Sequence, residues 1–221
     1  MANTPVSNLI NQAARLVVDK NMIRWDKAFW VDAYNAAIRA VLAVRPDALT
    51  KTEEVICDAG TTQKIPANAR YVIDVLTNVG GGAVSGPLSL KMFNDYRPEW
   101  RQSSESDSVS TWLYDERNKE TFFVYPGVKA GVKIEAVFAY EPTDITQADY
   151  EADVLGQLNP MYDNAIIEWL VYRAFSEDSE ITANNAKAQT AINTFRLLLG
   201  DKTNGDNANY ARNQEENNQM R

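Results

Sequence analysis

The hydrophobic period of this sequence changes twice, and that switch restricts the folds open to it more than any other feature. Up to Arg45-Pro46 apolar residues recur at helical spacing, from Thr52 to Tyr140 short segments alternate as strands do, and from Asn159-Pro160 the helical spacing returns. A chain of this kind predicts two helices, a β region, then two more helices. At the start, Thr4 is placed to cap a helix with Pro5 at its first position, followed by Val6, Leu9, Ile10, Ala13 and Val17 on one face. Asp26 is placed to cap a second helix whose stripe is Trp30, Tyr34, Ala37, Val41 and Val44, with Asp32, Asn35 and Arg39 off it.

The middle reads as strands at Glu53 to Asp58, Tyr71 to Asn78, Thr111 to Asp115, Thr121 to Tyr125 and Val132 to Tyr140. Val132, Ile134, Ala136 and Phe138 alternate with Lys133, Glu135 and Val137, which marks a strand with one face buried. Lys91 to Tyr96 fits a short helical turn, and Ser103 to Ser110 a polar loop outside any core. After Asn159-Pro160, residues Ile166 to Phe175 are apolar almost all round, as in a helix enclosed by neighbours or by another subunit. A fourth helix runs from about Thr182 through Ala188, Ile192, Phe195 and Leu199, with Gly200 placed as its stop. Asp201 to Arg221 is too rich in Asn, Gln and charge to fold alone.

The expected fold is α+β: a four-helix bundle made by the N- and C-terminal helix pairs, with an inserted, mainly antiparallel β region and an extended C-terminal tail. The boundaries read as 1–50 and 158–200 for the two bundle halves, 51–157 for the β-rich insertion, and 201–221 for a tail that orders on binding.

Composition narrows the chemistry. The chain has 221 residues and is 45% hydrophobic, enough to bury a core. Its net charge of -8 repels phosphates and argues against general DNA binding. There is no histidine, which removes the usual general base near neutral pH, the Ser-His and Cys-His nucleophiles and the commonest metal ligand. Cys57 is the single cysteine and reads as a structural thiol. The first twenty residues lack a signal-peptide pattern and no apolar run has the length of a membrane span, so the chain is expected to be soluble and made in the cytosol, with no membrane partner.

Three groups of residues invite a functional reading. Gly80-Gly81-Gly82-Ala83-Val84-Ser85-Gly86 has the glycine spacing of a phosphate loop, but Pro87-Leu88 stands where Lys and Ser/Thr are needed, so it reads as a flexible loop between strands. Glu53-Glu54, Asp144 with Asp149, Glu151 and Asp153, and Glu177-Asp178 with Glu180 are candidate carboxylate pairs, none with EF-hand spacing. They read as solvated faces. Trp100, Trp112 and Tyr114 are candidates for a glycan-binding platform, whereas Trp30, Trp169 and Tyr172 lie at core spacing. No catalytic residue, cofactor or metal site is assigned.

Several phrases stand in a fixed order along the chain: Trp30-Val31-Asp32-Ala33-Tyr34-Asn35-Ala36-Ala37, Val44-Arg45-Pro46-Asp47-Ala48, Ala59-Gly60-Thr61-Thr62-Gln63-Lys64-Ile65-Pro66 and Asp74-Val75-Leu76-Thr77-Asn78. Tyr96-Arg97-Pro98-Glu99-Trp100, Arg173-Ala174-Phe175-Ser176-Glu177-Asp178-Ser179-Glu180 and Phe195-Arg196-Leu197-Leu198-Leu199-Gly200-Asp201-Lys202 complete the set. Together they resemble the head-to-tail adaptor, or connector, proteins of tailed bacteriophages, of the tail-tubular-protein-A-like or head-completion kind found in short-tailed phages. The resemblance implies a non-enzymatic virion protein in the neck between head and tail, forming a homo-oligomeric ring, by analogy a dodecamer. The ring would bind the portal protein on one side and a tail nozzle or tail tube protein on the other, and DNA would pass through it without sequence-specific binding. The tail would dock on the portal, with Tyr210, Arg212 and Met220 as candidate contacts, and Trp169, Tyr172 and Phe175 are candidates for the interface between subunits.

Overall fold

The computed structural model describes the backbone of residues 3–115, 117–177 and 182–219, and side chains within these as far as Gly200. The chain divides into two compact units, one made of Met1–Ala48 with Pro142–Arg221, the other of Leu49–Glu141. Residues 142–157, grouped with the β region by their composition, fall in the first unit. There they are held by Asn35, whose amide donates to the Ile145 carbonyl (3.0 Å) and whose carbonyl accepts from the Ile145 amide (2.9 Å). Asn35 was expected off the apolar stripe; it is buried because it satisfies this backbone.

In the helical unit, α1 (Val6–Leu16) buries Val6, Leu9, Ile10 and Ala13. Its N-cap is Pro5, not Thr4, and the Thr4 hydroxyl donates instead to Asp163. The second helix, α2 (Lys27–Val44), starts as expected, with Asp26 accepting from the Phe29 amide at 2.8 Å. Trp30, Tyr34, Ala37 and Val41 are fully buried along it, while Val44 is exposed. A short helix, α4 (Gln147–Glu151), opens with a capping box between Thr146 and Asp149. Asn159 and Pro160 start a 3-10 turn that leads directly into α5 (Asp163–Glu177), and α6 (Thr182–Gln219) follows.

These helices do not make a four-helix bundle. Helices α1, α2 and α6 each pack on α5, whereas α1 and α2 barely touch one another. The cause lies in α5, whose Ile166, Ile167, Leu170, Val171, Ala174 and Phe175 leave it no single apolar face and so admit neighbours on several sides. Nor is the C-terminal segment extended. The backbone of α6 stays helical to Gln219, and Gly200 does not stop it. Glycine in a helix costs only about 1 kcal/mol relative to alanine, and Gly200 lacks the positive φ of a terminating residue.

The β unit contains two sheets. In the first, β7 (Lys133–Tyr140) lies between β1 (Thr50–Ile56) and β3 (Ala69–Asn78), all antiparallel. Strands β1 and β7 keep register from Thr50 opposite Ala139 to Ile56 opposite Lys133, while β3 carries three bulges. The second sheet has the order β2 (Gly60–Lys64), β6 (Asn118–Val128), β5 (Thr111–Asp115), β4 (Ser85–Ser89). It is mixed, because β4 runs parallel to β5, where the sequence led to the expectation of a mainly antiparallel region. Residues 90–110 separate β4 from β5, a connection long enough for the crossover that a parallel pair requires.

One core lies between the sheets, with Trp112, Phe122 and Val124 from the second facing Ile134, Ala136 and Phe138 of β7. On the opposite face, Leu113 and Phe123 pack under Trp100 and under Leu90 and Phe93 of α3 (Leu90–Tyr96). Both faces of β5 and β6 are therefore buried, and successive residues alternate between two cores. Gly86 permits the close approach of β4: its φ is +140°, and a Cβ there would meet the Trp112 ring at 2.6 Å.

Candidate interaction surfaces

The aromatic platform of the sequence reading does not exist as a surface. Trp100 and Trp112 are 3% and 1% exposed, and the Trp112 indole donates to Asp74 at 3.1 Å. A sugar cannot stack on either face. What remains open beside Trp100 is a shallow hollow of about 410 Å³ lined by Arg97, Pro98, Glu99, Ser103 and Tyr125. Arg97 donates to the Tyr125 hydroxyl at 2.7 Å, and Arg101 lies over the Trp100 and Phe123 rings.

Six of the candidate carboxylates serve a structural contact. Glu53 accepts from the Tyr140 hydroxyl at 2.7 Å; burial and this carboxylate together push the tyrosine up to about 12. Glu54 lies 3.9 Å from Lys133, Asp144 pairs with Arg39, Asp149 caps α4 and Glu151 pairs with Lys27 at 2.9 Å. Asp153 accepts from the Ser7 hydroxyl. Asp178 and Glu180 lie outside the described residues. Among the described residues no three acidic, histidine or cysteine side chains converge on a metal position, and no helix is long and apolar enough to cross a membrane. Cys57 is buried, and burial, with Asp58 beside it, pushes its thiol up to about 11.

The two serine- and glycine-rich segments are built into the β unit. Buried Asn78 links them: its amide nitrogen donates to Gly82 (3.0 Å) and Val109 (2.8 Å), and its oxygen accepts from the Val109 amide (2.7 Å). The Gly80 to Gly86 segment is thus tied at Asn78 and Gly82 instead of hanging free. Ser103 to Ser110 likewise contributes to the core, because Val109 is 2% exposed and Ser106 bridges Val128. Its polar composition hid the one apolar residue that matters.

In the helical unit, Trp169 stacks obliquely on Tyr172 (5.5 Å) and on Phe195 of α6 (5.1 Å), and Phe175 is buried with Lys187 over its ring. Trp169 and Phe175 therefore take part in packing α5 against α6, and Tyr172 packs beside Trp169 on α5. Tyr210 and Arg212 fall on the α6 backbone beyond the described side chains, and Met220 lies outside the described residues.

The surface feature that sequence reasoning missed is the α1–α2 connection. Val18 and Met22 hold positive φ values of 63° and 54°, rare for such residues. The Asp19 carboxylate accepts from the amides of Ile23 (2.9 Å), Arg24 (3.1 Å) and Trp25 (3.0 Å). Burial opposes its charge, but these amides outweigh it and leave the carboxyl below its usual range. This fixed turn leaves Leu16, Val18 and Ile23 exposed at 60%, 92% and 83%. The signal in the sequence was Asp19 four to six residues before its partners, but a single Asp in a polar stretch does not announce its hydrogen bonds.

A family model described as SU10 adaptor protein matches residues 4–216, nearly the whole chain. No curated protein matches the sequence at a significant level.

Proposed function

The chain belongs to the SU10 adaptor protein family and is a bacteriophage structural adaptor; from that premise we propose that it joins the portal to the tail as a non-enzymatic, homo-oligomeric ring. The reading is carried by one observation: the family match embraces both the helical unit and the β unit, so the whole architecture serves the adaptor role. A ring subunit needs a rigid body, and α5 supplies one by gathering α1, α2 and α6 around itself. It also needs an element that reaches a neighbouring component, and the 38-residue α6, roughly 55 Å long at 1.5 Å per residue, has that reach.

On this reading the last part of α6 docks on the portal, the β unit meets the tail-side protein, and DNA passes through the ring. A net charge of -8 suits a conduit, because a wall that neutralised phosphates would retain DNA. Burial of Trp100 and Trp112 counts against the alternative of a glycan-binding tail module. Electron microscopy and native mass measurement of the purified chain, alone and mixed with the portal, test the reading. Rings, or a ring on the portal, are expected; no assembly in either setting would refute it.

A further inference from the structure

The helical unit carries two exposed apolar patches, and they sit at opposite ends of α1. The first is the fixed turn after α1, with Leu16, Val18 and Ile23. The second lies at the other end, about 16 Å away along an 11-residue helix. There the Val6 amide donates to the Val154 carbonyl (2.9 Å) and Pro5 bridges Leu155, which places Val154 and Leu155 at the start of α1; Thr4 also bonds Asp163, two residues after Met161. Val154, Leu155 and Met161 are 39%, 52% and 59% exposed.

The patches differ in charge. Between positions 15 and 24 stand Arg15, Lys20 and Arg24 against a single acid, Asp19, whose carboxylate is taken up by backbone amides. From 134 to 172 there is no Lys or Arg, and Asp153 and Asp163 flank the second patch, while Glu151 is paired with Lys27. Asp153 and Asp163 accept from the Ser7 and Thr4 hydroxyls, and neither meets a cation among the described residues. A basic apolar turn and an acidic apolar patch on one body are complementary to each other and not to themselves. Complementarity of that kind suits a head-to-tail contact repeated from copy to copy, which makes a ring when the rotation between copies closes.

We propose that the Leu16–Ile23 turn of one copy docks on the Val154–Met161 surface of the next, making the contact that propagates the ring. The turn suits this role because its backbone is fixed before binding, so little ordering entropy is lost when its side chains are covered. Val18 and Ile23 are both held largely exposed in this turn, an apolar surface that a neighbouring copy would cover. The contact rests on the ring reading, and the following experiment separates the two.

Ile23→Asp places a charge in the turn, and Met161→Glu places one in the patch; both side chains are exposed, so the fold should be kept and circular dichroism should match the parent. Sedimentation and native mass spectrometry are then run on each variant, alone and with the portal. Each variant alone should associate at least about tenfold more weakly than the parent, as expected for loss of a central apolar contact. Mixed in equal amounts, they should form a one-to-one dimer and nothing larger, because one intact turn and one intact patch remain. A parent that assembles while both variants assemble equally overturns this contact alone, as does a mixture that behaves like either variant by itself. A parent that stays monomeric in both settings overturns the ring reading and the contact with it.

Discussion

Asp19 shows how one side chain fixes a functional shape. Its carboxylate accepts from three backbone amides in a turn containing two left-handed residues. Asp19→Ala should cost about 1–2 kcal/mol at neutral pH, a magnitude typical of a lost capping carboxylate. Because its folded pKa lies below the unfolded value, the stabilisation is complete above the unfolded pKa and is lost as pH falls through the lowered folded one. Urea unfolding of parent and variant should therefore show a clear difference at pH 7 that closes in strong acid. An unchanged difference across that range would mean that the carboxylate charge is not what holds the turn. None of this was legible in the sequence, where Val17 reads as the last residue of the helix stripe and nothing marks Val18 or Asp19 as the start of a fixed turn.

At the scale of elements, the strongest periodicities carried through and the weak ones did not. Ile134, Ala136 and Phe138 are fully buried on β7, as their alternation implied, and Trp30, Tyr34 and Val41 line the buried side of α2. Strands β2 and β4 escaped notice because Gly60-Thr61-Thr62-Gln63-Lys64 and Ser85-Gly86-Pro87-Leu88-Ser89 have almost no apolar residues to alternate. They are edge strands, placed by pairing with β6 and β5 and by the fit of Gly86 under Trp112. The end of the last helix was misjudged for a related reason: Gly200 reads as a stop, yet nothing in a sequence reports whether the backbone there turns left-handed. The α5–α6 contact gives the sharpest test at this scale. Phe195 is 3% exposed and its ring lies 5.1 Å from that of Trp169, so Phe195→Ala should destabilise the helical unit by about 3–5 kcal/mol. Tryptophan fluorescence should report it, since Trp169 loses one of its two aromatic neighbours; a loss under about 1 kcal/mol would mean that α6 is not anchored through this ring.

At the scale of the whole molecule, the β unit is one continuous stretch, Leu49–Glu141, whereas the helical unit is assembled from both ends of the chain. The two ends of the β unit are neighbours within it, because the Tyr140 amide donates to the Leu49 carbonyl at 3.0 Å and Thr50 stands opposite Ala139. The stretch can therefore leave and return at adjacent points, so its removal need not stretch the chain between Ala48 and Pro142. Replacing 49–141 by a short Gly-Ser linker also shortens the loop that must close before α1 and α2 can meet α5, and the entropic cost of closure falls with loop length. Such a chain should fold with a strongly helical circular dichroism spectrum and a cooperative melt, and it should keep the apolar turn and patch at the two ends of α1. Residues 49–141 alone should fold as well, since both sheets and their two cores lie inside that range. If the linked helical chain fails to fold while the β stretch succeeds, then the helical unit depends on the β unit for its structure, and the division into two self-sufficient bodies is wrong.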